Sequence, residues 1–337
     1  MLSRVASNIY WMARYLERAE GVARLINVNS NLLLDLPKGI SPKWGQLVSI
    51  TGADEFYPQD ADETDRDGRQ ALKILITDEK SPVSLVTSIV NARENARTVR
   101  DVMPREVWEA INSLFIFARD GSSQALGKRS RYQFLSDVIE QCQTISGILA
   151  GTMNRDAGYM FLEMGRLIER ADMTSRIIDT RSANLLPNDH EMDEESPALL
   201  EAVKRRTYDS LQWMSVLKSL TGYQMYRLEM QVRIQRQEVL RFLMQSTVFP
   251  RSITRCILEI EATLEILENG ERALLVINRL KRQLDHANFS KLKQTELQHF
   301  VDQLQVGFSQ LHEELGYAYF GQIQEAKQTQ TQTQAAV

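Results

Sequence analysis

An all-α fold is predicted by three observations. Apolar residues recur at helical spacing over long stretches, glycine and proline are scarce at 16 and 8 in 337 residues, and strand-like Val-Thr alternation is rare. Helices are predicted over residues 4–34, 82–102, 105–120, 130–153, 156–182, 196–220, 222–245, 251–269, 271–285 and 290–318. Breaker residues separate them. The first helix stops ahead of Leu36-Pro37-Lys38-Gly39, and the acidic stretch Asp60 to Asp67 keeps it apart from the next. Ser81-Pro82 reads as an N-cap with proline at N1. Met103-Pro104, Asp120-Gly121, Leu186-Pro187-Asn188-Asp189 and Phe249-Pro250 punctuate the rest. From Gln322 onward the Gln-Thr-rich tail has too few large apolar residues to offset the entropy of ordering, so disorder is expected there.

With 43% apolar and 25% charged residues, the chain has material for a sizeable core. Forty basic against 44 acidic side chains leave a net charge of −4, so no overall field favours nucleic acid or an anionic membrane. Cys142 and Cys256 lie in apolar helical patterns without metal or redox spacing, which points to a reducing compartment. Charges at Arg4, Arg14, Glu17 and Arg18 interrupt any signal-like region, and no run of about 18 apolar residues occurs. A cytoplasmic, soluble protein is expected.

The chain repeats itself. Arg14-Tyr15-Leu16-Glu17-Arg18-Ala19-Glu20 through Val28 matches Arg166-Leu167-Ile168-Glu169-Arg170-Ala171-Asp172 through Thr180, 152 positions on. Trp44 with Ser49-Ile50-Thr51-Gly52 matches Trp213 with Ser219-Leu220-Thr221-Gly222, 169 and 170 positions on. Pro82-Val83-Ser84 matches Pro250-Arg251-Ser252, 168 positions on. Ordered recurrence with small shifts is the trace of a tandem duplication with loop insertions. The expected architecture is a pseudo-two-fold helical bundle: a first repeat over 1–125, a connecting helix over 126–155, a second repeat over 156–320 and the tail over 321–337.

At about 100° per residue, Trp11, Tyr15, Val22, Leu25 and Ile26 form an apolar stripe that includes Arg18. Glu17, Glu20 and Arg24 fall on a polar face opposite. Arg170, Glu169, Asp172 and Arg176 repeat the pattern. Two meanings fit. Arg18 and Arg170 are either struts at a helix crossing, with Arg24 and Arg176 closing surface i, i+4 pairs, or they converge on a cavity and grip a carboxylate or phosphate. A second cluster, Arg93-Glu94-Asn95-Ala96-Arg97 with Arg100, forms a cationic strip absent from the matching helix. Arg251 with Ser252 offers further anion-binding groups, and tyrosines such as Tyr223 and Tyr226 read as core.

Metal chemistry is not expected: one E-x-x-H match, Glu296 to His299, falls short of a di-metal bundle. His190, His286 and His312 read as surface or cap residues. No phosphate-binding loop, dinucleotide fingerprint or nucleophile elbow is present.

The two Glu-Arg segments, the stretch from Pro82-Val83-Ser84 to Arg93-Glu94-Asn95-Ala96-Arg97 and on to Trp108-Glu109, and Phe249-Pro250-Arg251-Ser252 together resemble the bacterial alpha-E domain family. The resemblance spans nearly the whole chain. It implies an all-helical fold and association with a circularly permuted ATP-grasp ligase that forms amide bonds, acting on a peptide or small molecule. ATP would belong to that partner, with no cofactor intrinsic to this chain. Asp172 departs from the Glu20 of the first copy, so the halves need not have identical roles.

Whether the chain is itself an enzyme stays open at this point. In a catalytic reading Glu17 and Glu169 orient the arginines or move protons, and Arg14, Arg18, Arg24, Arg166, Arg170, Arg176, Arg93, Glu94, Asn95 and Arg97 bind substrate. In a scaffold reading the Glu-Arg pairs only hold the bundle. Nucleic acid and membrane are not expected as partners.

Overall fold

The computed structural model describes residues 2–35, 44–58, 68–183 and 210–321. Among these the regular structure is helical. The elements are α1 (Ser3–Asp35), α2 (Gly45–Thr51), α3 (Arg69–Ile76), α4 (Leu85–Thr98), α5 (Arg105–Gly121), α6 (Lys128–Thr152) and α7 (Ala157–Ala183). They are followed by α8 (210–219), α9 (Tyr223–Met230), α10 (Arg236–Gln245), α11 (Ile253–Leu264), α12 (Glu271–His286) and α13 (Gln294–Leu315). A π turn, Gly316–Phe320, closes the last helix against α1.

The two long Glu-Arg helices, α1 and α7, pack on each other at the centre. Around them the pairings match: α1 packs on α4 and α6, α7 packs on α11 and α13, and α5 and α12 bridge their neighbours on the outside. The sequence pattern explains the layering. α5 buries Val107, Ile111, Leu114 and Ala118 at spacings of four and three, and α12 buries Ala273, Val276, Ile277, Leu280 and Leu284, so each presents one apolar stripe inward. α1 is covered on nearly every side from Ile9 to Ile26, and its charged residues go inside with it.

Boundaries differ from the sequence reading where local chemistry overrides periodicity. The N-cap of α4 is Ser84, whose hydroxyl accepts from the Thr87 N–H at 3.1 Å, rather than Ser81. Ser252 caps α11 in the same way, through the Arg255 N–H at 3.1 Å. The helix expected over 82–102 ends at Thr98, and Arg100–Val102 is a 3₁₀ turn. The stretch 222–245 is two helices, because Gln231 takes a left-handed conformation (φ 52°) after Met230. Two short helices, α2 and α3, had no prediction. The segment 196–209, the acidic stretch from residue 60 to 67 and the tail from 322 lie outside the described residues.

Tight turns end α2 and α8 alike. Gly52 (φ 76°) and Thr221 (φ 55°) hold the left-handed position 169 residues apart, with Ala53 N–H to Val48 O and Gly222 N–H to Leu217 O closing each turn. The structural match is therefore one residue out of step with the Ser-x-Thr-Gly match in sequence. Trp44 and Trp213 are both buried. Among the described residues no helix is long and apolar enough to cross a membrane.

The backbones of the central helices come close at Gly165, where a Cβ would stand 2.3 Å from the Tyr10 carbonyl oxygen. Gly165→Ala is expected to push α1 and α7 apart and cost about 1 to 3 kcal/mol in urea unfolding. Gly147→Ala, on an exposed turn of α6 with open space around it, is expected to raise stability by about 0.5 to 1 kcal/mol. Equal effects at the two glycines would contradict the crossing geometry.

Candidate functional site

The charged residues of α1 and α7 face each other across the central crossing and pair reciprocally. Arg18 donates from Nε and Nη2 to Glu169 at 2.5 and 3.0 Å, and Arg170 donates from Nε and Nη2 to Glu17 at 2.9 and 2.8 Å. Each glutamate therefore serves the arginine of the opposite motif, not its sequence neighbour. Each also takes a second cation. Arg14 Nε reaches Glu169 Oε2 at 2.8 Å, and Arg251 Nη1 reaches Glu17 Oε1 at 2.7 Å. Arg251 Nη2 continues to Glu20 at 2.9 Å, which also accepts from Arg24 Nε at 2.8 Å. Arg176 Nε binds Asp172 at 2.8 Å, and Arg166 pairs with Glu163.

Burial corrects the helical-wheel reading. Glu17, Glu20 and Arg24 do not lie on a solvated face, since they are 6%, 5% and 9% exposed, and Glu169 is 3% exposed. Nor do Arg18 and Arg170 converge on a shared pocket, because each is taken up by the carboxylate across from it. The Arg24–Glu20 pair expected at the surface is inside; the Arg176–Asp172 pair is half-buried.

Electrostatics hold the cluster ionised. Burial alone would raise the Glu169 carboxyl, but Arg18 and Arg14 outweigh it and bring it down to about 2. The Glu17 carboxyl is likewise held far below the usual carboxylate range: burial opposes ionisation, and Arg170 and Arg251 overcome it. Burial would lower the Arg18 and Arg170 guanidiniums, yet Glu169 and Glu17 push them up. Asp172 goes the other way, raised by burial despite Arg176.

Beside Glu17 lies a cavity of about 20 Å³ bordered by Glu17, Glu20, Ser146, Glu163 and Arg166. That is room for about one water. Glu163 Oε1 and Arg166 Nε are buried there without a hydrogen-bond partner. Beside Glu169 the corresponding space is filled by rings. The Tyr10 hydroxyl and His312 Nδ1 are 2.9 Å apart, the two rings stack at 5.6 Å, and Trp11 meets His312 edge-on at 5.1 Å. His312 is therefore a partly buried member of the cluster rather than a surface or cap residue. Burial, then the Arg14 charge, lower its pKa to about 4, so the ring is neutral at pH 7.

Arg93, Glu94, Asn95 and Arg97 are not part of this site. They lie on α4 toward α5, where Arg93 bonds Asn112 at 2.8 Å and stands 4.5 Å from the Phe115 centroid, and Glu94 joins Arg93 and Arg97. Tyr10, Trp11 and Glu163, by contrast, were missed because they read as ordinary helix residues; only packing shows what they touch. Cys142 and Cys256 are buried free thiols, the latter raised to about 12 by burial. Among the described residues no group of three His, Cys, Asp or Glu side chains is placed to hold a metal ion.

A helical domain built on paired Glu-Arg segments defines a class, and comparison with known proteins places the chain in one. It belongs to the Alpha-E family, described as a predicted alpha-helical domain with a conserved ER motif, which matches residues 1–320. It is also 26% identical over 183 residues to uncharacterized proteins of Mycobacterium bovis and Mycobacterium tuberculosis. That match covers 50% of this chain and 21% of each relative, so the chain spans about a fifth of their length. No solved structure matches.

Glu169→Gln leaves Arg14 and Arg18 buried without their counter-charge and is expected to cost about 3 to 5 kcal/mol in urea unfolding. Acid should act in two stages. A His312 lowered from 6.5 to about 4 contributes stability above pH 6.5 that is lost on descending to 4, and a Glu169 lowered from 4.5 to about 2 contributes stability lost between about pH 5 and 2. The melting temperature should thus fall steadily from pH 7 to 3, and His312→Gln should flatten the part above pH 4. An unchanged profile in that variant would refute the assignment.

Proposed function

We propose that this protein is a helical platform that works beside an amide-forming ATP-grasp ligase, and that the reciprocal Glu-Arg pairs serve it as struts. One observation carries the strut reading: the bidentate donors of Arg18 and Arg170 are already occupied by Glu169 and Glu17, and the adjoining cavity has room for one water. A guanidinium whose Nε and Nη2 are spent in this way has one Nη left, so it cannot by itself grip a reacting acyl phosphate bidentately. On this reading Glu17 and Glu169 orient arginines and transfer no proton, since both are held ionised.

The circularly permuted ligase follows from the family resemblance. ATP and the chemical step belong to that partner, and a peptide or small molecule is the substrate class. The longer relatives support a cooperating module, since the segment matched there is a minor part of the chain. The same proposal takes the two halves as products of one duplicated unit, with α1, α4, α5 and α6 matching α7, α11, α12 and α13. Matching helix pairings, the Ser84 and Ser252 caps and the Gly52 and Thr221 turns support it. In this view α6 is the fourth helix of the first unit rather than a connector. A cytoplasmic location accords with a partner that uses ATP.

The test is Arg170→Met, assayed with the ligase for complex formation and ATP-dependent amide synthesis. The expected result is a loss of about 3 to 5 kcal/mol in stability, with ligase binding and product formation per folded molecule unchanged. Normal folding and binding with amide synthesis reduced a hundredfold would make the cluster catalytic. Failure of the wild type to bind or stimulate the ligase would overturn the partnership.

A further inference from the structure

The two ends of the charged crossing are not equivalent. On the Glu17 side Arg251 lies over the carboxylate and joins it to Glu20, whereas the residue 168 positions earlier, Val83, has no charge to do the same for Glu169. On the Glu169 side Arg14 and Arg18, one turn apart on α1, both donate to the same oxygen, Oε2, at 2.8 and 3.0 Å, which sets their guanidiniums side by side. Glu169 takes Nε from each. Among the described residues no acceptor takes Arg14 Nη2 or Arg18 Nη1, and the two side chains keep 11% and 18% of their surface exposed.

Aromatic rings border this free edge. Trp11 and Tyr15, both half-buried, stack on each other at 5.5 Å with their planes 29° apart. Arg14 stands 5.0 Å from the Trp11 ring centroid and Arg18 stands 5.5 Å from that of Tyr15, within cation–π reach. At the corresponding positions of α7 are Glu163 and Leu167, so the other half lacks this ring pair. Among the described residues Arg14 and Arg18 share one ion-paired carboxylate, Glu169, so the local charge favours an anion.

We propose that the outer edge of Arg14 and Arg18, flanked by Trp11 and Tyr15, binds a carboxylate carried on an apolar or aromatic body, such as the C-terminal end of a peptide. Two adjacent guanidinium edges suit the planar, two-oxygen acceptor of a carboxylate. The stacked rings give the attached group an apolar surface to cover, which a free inorganic anion would leave unused. Glu169 is then a positioning residue: its inner hydrogen bonds aim the two arginines outward. The site belongs to this chain alone and is testable without the ligase.

The experiment is calorimetric titration of the full chain with N-acetylphenylalanine, with its primary amide and with inorganic phosphate. Saturable binding of the acid is expected, with the amide and phosphate at least tenfold weaker. Arg14→Gln, checked for folding by circular dichroism, should weaken the acid at least tenfold. Trp11→Leu leaves every ion pair in place and should weaken it severalfold, which keeps the test decisive if the arginine variant does not fold. No saturable binding of the acid at millimolar concentrations, equal affinity for acid and amide, or phosphate binding as tight as the acid would overturn the proposal. So would an unchanged affinity in Trp11→Leu.

Discussion

The structure depends on an exchange of carboxylates between two helices. Glu17 and Glu169 sit at the crossing of α1 and α7, each almost sealed from solvent and each held by the arginine of the opposite motif. Removing such groups from water costs several kcal/mol per ion, and attraction offsets this only where geometry is good and the remaining lone pairs are filled. Both conditions hold here, because every glutamate has a bidentate arginine and a second guanidinium on a further hydrogen bond. A strut of this kind gives specificity more than net stability. A slip of α1 along α7 would strand buried charge, so the ion pairs define one register for the whole bundle.

The two ends of this crossing differ in chemistry. Where α7 carries Glu163 and Leu167, α1 carries Trp11 and Tyr15; where the second half supplies Arg251, the first supplies Val83. One end is therefore closed by a network of charge around a water-sized space, and the other is packed with rings around Arg14 and His312. Positions 152 residues apart thus hold different chemistry at the two ends of one crossing.

Much of the fold was legible because helix formation is local. Periodicity located the long helices α1, α5, α6, α7, α12 and α13 closely, and Phe249-Pro250 marked a true break. Short elements were not legible: α2 and α3 are seven and eight residues long, too few to establish a period, and are held by packing against their neighbours. The site was legible as a set of residues, since Arg14, Glu17, Arg18, Glu169 and Arg170 do meet. Its pairing was not, because a helical wheel ranks faces by polarity and cannot register that the polar face of α1 is covered by Arg251, just ahead of α11, as well as by α7.

By itself the sequence determined that the chain is helical, where its long helices fall, that two Glu-Arg segments recur in order, and which family it joins, since each of these is a property of residue type and spacing. Only the tertiary structure decided that each glutamate belongs to the other motif's arginine, and that Tyr10 and His312 share a hydrogen bond across 302 positions. The physical reason is range. Backbone propensity acts over a few residues, whereas the desolvation that makes a carboxylate demand two guanidiniums arises only once helices distant in sequence have closed around it.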